Sequence, residues 1–156
     1  MQIQKWMKRN VFYIHTNTTI GEAARIFTDK HIGMLPVVDA DGHLRGLLPL
    51  RSLLLLVMPD FVTLIEDFDF VSDFGAAEMR VPDGATLQRP VQEIMLPPQS
   101  VEESCGLLRA IALLNRYQLH DLPVIDQYGK LVGIVSRVDV GTAFLSNWNI
   151  TQAGTA

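Results

Sequence analysis

The 156-residue chain is poor in several features, and each scarcity narrows its chemistry. A single cysteine, Cys105, cannot form an internal disulfide. It sits near an expected helix start, with no signature pairing it to a base, and reads as a small packed residue. Four histidines, His15, His31, His43 and His120, include no pair at metal-ligand spacing, so no structural zinc site is expected. Asp39-Ala40-Asp41-Gly42 is similar to the start of a calcium loop, but nothing downstream supplies the later ligands, and it reads as a hairpin turn. There is no phosphate-binding glycine loop, dinucleotide fingerprint or nucleophile elbow, so no enzyme is expected.

An excess of positive charge is lacking too. Thirteen Lys and Arg against 17 Asp and Glu leave a formal charge of -4, and the basic residues form no stripe, so nucleic acid is not an expected partner. The most apolar stretch, Leu44 to Met58, is interrupted by Arg45, Pro49, Arg51 and Ser52 and falls short of the roughly 20 residues that span a bilayer. The opening Met1-Gln-Ile-Gln-Lys-Trp has no long apolar secretory segment, so the expected compartment is the cytoplasm, without a membrane. In that setting the acceptor pattern at Asn149 is noise.

What is present is a repeat. Leu35 to Ser52 recurs 87 residues later as Leu122 to Asp139, with Leu35, Pro36, Val37, Asp39, Gly42, Leu44 and Gly46 identical in both copies. Each copy reads as a β-branched run, a turn carrying Asp and Gly, and a second apolar run: a strand, tight turn, strand unit. Gly42 and Gly129 fall where such a turn needs positive φ. Upstream, Ile20, Ala23, Ala24 and Phe27, and Leu107, Ala110, Ile111 and Leu114, take helical spacing. Thr19 with Glu22 forms a capping box, and Ser104 is the expected cap of the second helix. Further helices are expected over about Leu50 to Met58 and Val138 to Trp148. Each copy is then strand, helix, strand, strand, helix, an α/β fold of two pseudo-symmetric repeats.

The division expected is residues 1–58 for the first copy, 59–90 for a linker, 91–148 for the second copy and 149–156 for a tail. In the linker Phe61, Leu64, Ile65, Phe68 and Val71 fall at helical spacing among acidic residues. This predicts an acidic amphipathic helix that braces the copies or, through Phe70 and Phe74, docks a partner. A polar loop, Val81-Pro82-Asp83-Gly84, follows it.

Ser136 lies at a strand-to-helix junction, where free N–H groups and the helix dipole favour an anion. Asp139, one turn on, has two oxygens able to accept from a ribose 2′-OH and 3′-OH. Ser-x-x-Asp is equally a capping pattern, and the residues alone leave both readings open.

With its duplicated Leu-Pro-Val-Val/Ile-Asp-x-x-Gly-x-Leu-x-Gly motif and the lead-in Pro90-Val91-Gln92-Glu93-Ile94-Met95, the chain closely resembles a tandem pair of CBS domains, a Bateman module, over roughly residues 5–58 and 91–148. The resemblance implies a regulatory module that binds AMP, ADP, ATP or S-adenosylmethionine between its repeats, needs no other cofactor, and pairs as a homodimer. The family's ligand signature, Gly-h-x-Ser/Thr-x-x-Asp, is matched by Gly133-Ile134-Val135-Ser136-Arg137-Val138-Asp139. In the first copy Pro49 and Ser52 replace the hydroxyl residue and the Asp, implying one competent and one degenerate site.

By the same resemblance, the adenine is held by Asn10-Val11-Phe12 and Ile32-Gly33-Met34: Phe12 stacking, Ile32 and Met34 as an apolar wall, backbone near Val11 reading the base edge. His120 resembles a position that faces phosphate in some members. The function implied is ligand sensing passed to a partner in trans. The alternative is a structural dimerisation or interaction module without ligand, working through the Phe61 to Phe74 helix.

Overall fold

The computed structural model describes residues 1–69 and 71–148; Phe70, Asn149 and the rest of the tail lie outside them. In the first repeat β1 (Ile14–His15) leads into α1 (Ile20–Lys30), β2 (Met34–Val38), β3 (Leu44–Pro49) and α2 (Leu50–Leu54). After α3 (Gly84–Gln88) the pattern returns as β4 (Val101–Glu102), α4 (Leu107–Arg116), β5 (Asp121–Ile125), β6 (Leu131–Ser136) and α5 (Arg137–Leu145). Each repeat thus holds a three-stranded sheet whose first strand is parallel and whose last is antiparallel to the middle one. The parallel step is bridged by a helix, as such a step requires.

The turns form for a local reason. In each, an Asp accepts two backbone N–H groups: Asp39 Oδ1 from Asp41 and His43 at 2.9 and 3.0 Å, Asp126 Oδ1 from Tyr128 and Lys130 at 2.9 Å each. Gly42 and Gly129 complete them at φ 87° and 80°. The tips pair with each other, Leu44 N–H donating to Gly129 O and Leu131 N–H to Gly42 O.

The lead-in segments cross between repeats. Ile3 is buried in the core built by Leu107, Leu114, Leu122, Val124 and Val135 of the second repeat, and Val91 in the core of Ile20, Phe27, Leu35 and Leu48 of the first. Lys8 pairs with Ile134 on β6, and Leu96 with Leu47 on β3. The crossings need glycine: a Cβ on Gly133 would stand 2.9 Å from Lys8 O and 2.5 Å from Met7 Cε, and one on Gly46 2.9 Å from Leu96 O and 2.5 Å from Met95 Sδ.

Several expectations need correction. No helix spans Phe61 to Phe74. Short 3-10 turns cover Asp60–Leu64 and Gly75–Met79, with bends between them. Asp67 accepts from Asp69 N–H and Asp73 from Gly75 N–H, local bonds that compete with a helical ladder. Phe61 and Phe68 both pack on Phe74, at 5.8 and 6.5 Å between ring centroids, and Phe70, the other residue expected to dock a partner, lies outside the described residues. Within the expected polar loop, Asp83 caps α3, accepting from Thr86 N–H at 2.7 Å.

Ser104 does not cap α4. Gly106 is the N-cap, and Met1 O accepts from Leu107 N–H at 3.2 Å, so the chain's own start satisfies the free donor. The second helix of the first repeat ends at Leu54 rather than Met58, the N–H groups of Leu56 and Val57 turning to Leu53 O and Leu54 O in tighter 3-10-type bonds. That of the second repeat ends at Leu145. Thr19 and Glu22 do form the expected capping box.

Candidate functional site

The β6 to α5 junction folds as the sequence suggests. Ser136 Oγ accepts from Asp139 N–H at 3.0 Å, and Asp139 Oδ2 accepts from Ser136 N–H at 2.8 Å. This is a complete capping box, so the capping reading of Ser-x-x-Asp describes its geometry in this structure. It leaves the hydroxyl proton of Ser136 and the second oxygen of Asp139 for other partners. Lys8 Nζ lies 3.7 Å from that oxygen, Oδ1, and the carboxylate is largely sheltered while the ammonium is exposed.

Beside this junction is a cleft of about 290 Å³ lined by Lys8, Asn10, Val11, Phe12, His31, Ile32, Gly33, Met34, Asp121 and Ile134. Five of the residues expected to hold a base, Asn10, Val11, Phe12, Ile32 and Met34, therefore share one cavity. Met34 is buried at its floor and Phe12 is 41% exposed, open enough to stack on a planar group. Lys30 Nζ lies 5.0 Å from the centroid of the Phe12 ring, which fixes that ring against α1. His31 holds a left-handed φ of 51° at the end of α1, a conformation uncommon for a residue with a Cβ.

Four expected residues are not among those lining this cleft: Ser136 and Asp139, at the junction beside it, and His120 and Arg137. His120 does not line this cleft but a neighbouring hollow of about 250 Å³, with Pro49, Leu50, Arg51 and Leu54. Arg137 folds back, its guanidinium donating to Leu119 O at 3.0 Å, while its N–H donates to His120 O at 2.8 Å. In the hollow the Arg51 guanidinium donates to Gln118 O, and to Tyr117 O at 3.4 Å, at the end of α4.

The sequence reading gave no role to Lys8, Arg51 or Asp121. Asp121 stands just before the Leu-Pro-Val motif and is the register partner of Ser136. Burial pushes its carboxyl above the ordinary value of 3.8, with Asp139 adding to the rise and Lys8 and His120 opposing it. An acid immediately ahead of a repeat motif was the available signal, but only strand pairing shows what it faces.

Elsewhere, Asp39, Asp41 and His43 bring ligand-capable atoms within 4.8 Å of one another. Asp39 Oδ1 is already bonded to backbone N–H groups and Oδ2 to Arg45, at 2.8 Å from Nε. Burial acts to raise its pKa, but the bonds from Arg45, His43 and Asp41 outweigh it and hold it at about 2. Burial pushes the Cys105 thiol up, against the pull of Arg109, which disfavours a reactive thiolate. No helix among the described residues is long and apolar enough to cross a membrane.

A family model described as "CBS domain" matches residues 2–59 and 91–145. The chain belongs to the CBS domain family. Its architecture is that of a CBS pair. It is 26% identical over 138 residues to a CBS domain-containing protein of Dictyostelium discoideum, covering 88% of this chain and 87% of that protein. To the chloroplastic CBS domain-containing protein CBSX1 of Arabidopsis thaliana it is 31% identical over 145 residues, covering 88% of this chain but 61% of the relative. The solved structure of CBSX2 in complex with AMP superposes with a TM-score of 0.69 at 26% identity, covering 93% of this chain and 96% of that one.

Proposed function

We infer that this CBS pair is a regulatory module that binds one adenosine-containing ligand in the Asp139 cleft and signals occupancy to a partner in trans, with no catalysis of its own. The observation that carries this reading is a single one: a sheltered carboxylate at a helix start, with one oxygen free of the protein's backbone, opens beside a cavity walled by Phe12, Ile32 and Met34. Asp139 Oδ1 would accept from the ribose hydroxyls, displacing the long contact to Lys8, while Oδ2 stays on Ser136 N–H. The adenine would lie on Phe12. AMP, ADP, ATP and S-adenosylmethionine are the candidate ligands, and AMP bound to CBSX2 supports the class.

The reading includes a homodimer acting in the cytoplasm. Leu54, Leu55 and Met58, exposed around the end of α2, are apolar surface that a second copy of the chain would cover. For binding to regulate anything, the ligand must favour one of two arrangements of the repeats or of the dimer.

The test is calorimetric titration of ligand-free protein and of Asp139→Ala with AMP, ADP, ATP, S-adenosylmethionine and NADH. Saturable binding at about one per chain, lost in the variant, is the expected result. Folded protein that binds none of them would overturn the sensor reading and leave the interaction-module alternative. Light scattering checks the dimer.

A further inference from the structure

Resting on that reading of the Asp139 cleft, we propose that the site selects an adenosine derivative whose 5′ substituent is neutral or positively charged, a thioether or sulfonium, over an adenosine phosphate. Asp121 and Ser136 are directly paired on adjacent antiparallel strands, and residues so paired project from the same face of the sheet. Asp121 thereby lines the cleft next to the Ser136 position at the start of α5.

That carboxylate is uncommitted. Among the described residues it makes no hydrogen bond and no ion pair, and it lines the cleft with one oxygen against Gly33, 3.6 Å from where a Cβ there would stand. Part of what draws a phosphate to a helix start is already engaged. Asp139 supplies the negative charge at the N-terminus of α5 and bonds to Ser136 N–H, while the N–H of Asp139 is taken by Ser136 Oγ. The N–H of Arg137 is donated to His120 O and its guanidinium to Leu119 O. Lys8, the one lysine or arginine lining the cleft, faces Asp139.

A phosphate dianion would meet two carboxylates, Asp121 and Asp139, against the single ammonium of Lys8. A sulfonium or ammonium group would find a carboxylate with no direct partner among the described residues, Lys8 and His120 acting on it only from a distance, and a thioether would bring no charge against it. The charge near the 5′ end, rather than the adenine wall, sets the choice.

The experiment titrates the full chain with adenosine, methylthioadenosine, S-adenosylmethionine and AMP, in the parent and in Asp121→Asn, an isosteric change whose folding is checked by thermal unfolding. In the parent, S-adenosylmethionine or methylthioadenosine is expected to bind at least tenfold more tightly than AMP. In Asp121→Asn the ratio of AMP affinity to adenosine affinity is expected to rise at least fivefold. AMP binding the parent as tightly as methylthioadenosine, or a ratio unmoved by Asp121→Asn, overturns the proposal. If none of the four binds and Asp139→Ala is indistinguishable from the parent, the adenosine reading itself has failed and this selectivity falls with it.

Discussion

The two repeats carry the same strands, turns and crossings, but the junctions after their last strands are built from different parts. After β6, Ser136 and Asp139 close a capping box and start a nine-residue helix, and the Asp139 carboxylate faces Lys8, which lines the Phe12 cleft. After β3, Pro49 starts a five-residue helix with no side-chain cap, and Arg51 reaches across to the carbonyls at the end of α4. The same contrast holds one strand earlier, where Met34 of the first repeat is buried and its equivalent, Asp121, is an uncommitted acid. The architecture needs the glycine crossings and the apolar strands, whereas the position that begins the last helix holds a capping box in one copy and a brace in the other.

The sharpest test sets Asp139→Ala against Ser52→Ala. The first removes a cap and the proposed ribose acceptor, so adenosine-ligand affinity should fall at least about 30-fold, about 2 kcal/mol, with about 1 kcal/mol of stability lost besides. The second should move neither quantity by more than about 0.5 kcal/mol, as read by calorimetry and urea unfolding. What the repeats share can be broken symmetrically. Gly46→Ala and Gly133→Ala each push a Cβ against a backbone carbonyl and a methionine, and each should cost about 2 kcal/mol in urea unfolding. A loss in one copy alone would show that only that crossing is tight.

A smaller effect probes the brace. Arg51→Met removes the guanidinium from the carbonyls of Gln118 and Tyr117 and should cost about 1 kcal/mol, whereas the exposed equivalent in the second copy, Val138→Ala, should cost under about 0.5 kcal/mol in the same assay.

The subtlest prediction concerns pH. Burial raises the carboxyl of Asp121 in the fold, so the folded chain holds that proton more tightly than the unfolded one. Stability from this group is therefore fullest at low pH and falls as pH rises from the ordinary value of 3.8 toward the raised one. Asp121→Asn should stabilise the protein at pH 7, with the gain fading below about 3.8, read as the difference between parent and variant in urea titrations at pH 7 and 3.5. A gain that persists unchanged at pH 3.5 would remove the charge from the explanation.

Much of this was legible because it is local. The duplicated Leu-Pro-Val runs, the Asp and Gly of each turn, the Thr19–Glu22 box and the Ser136–Asp139 pair are written within about four residues of one another, where periodicity and hydrogen-bond geometry act directly. The pattern misled where local signals competed. Between Phe61 and Phe74 the apolar spacing suggests a helix, but Asp67 and Asp73 turn the backbone onto themselves. At Ser104 a plausible cap is displaced by Met1, about a hundred residues away in sequence.

The sequence by itself determined the repeat, its strand and helix order, and the capping pair at the start of the last helix. Tertiary structure decided which lead-in fills which core, that His120 and Arg51 line a separate hollow, and that Asp121 stands beside Ser136 on one sheet face. Those outcomes depend on strand register and on packing between segments far apart in the chain, where no residue's identity specifies its neighbour until the sheet is assembled.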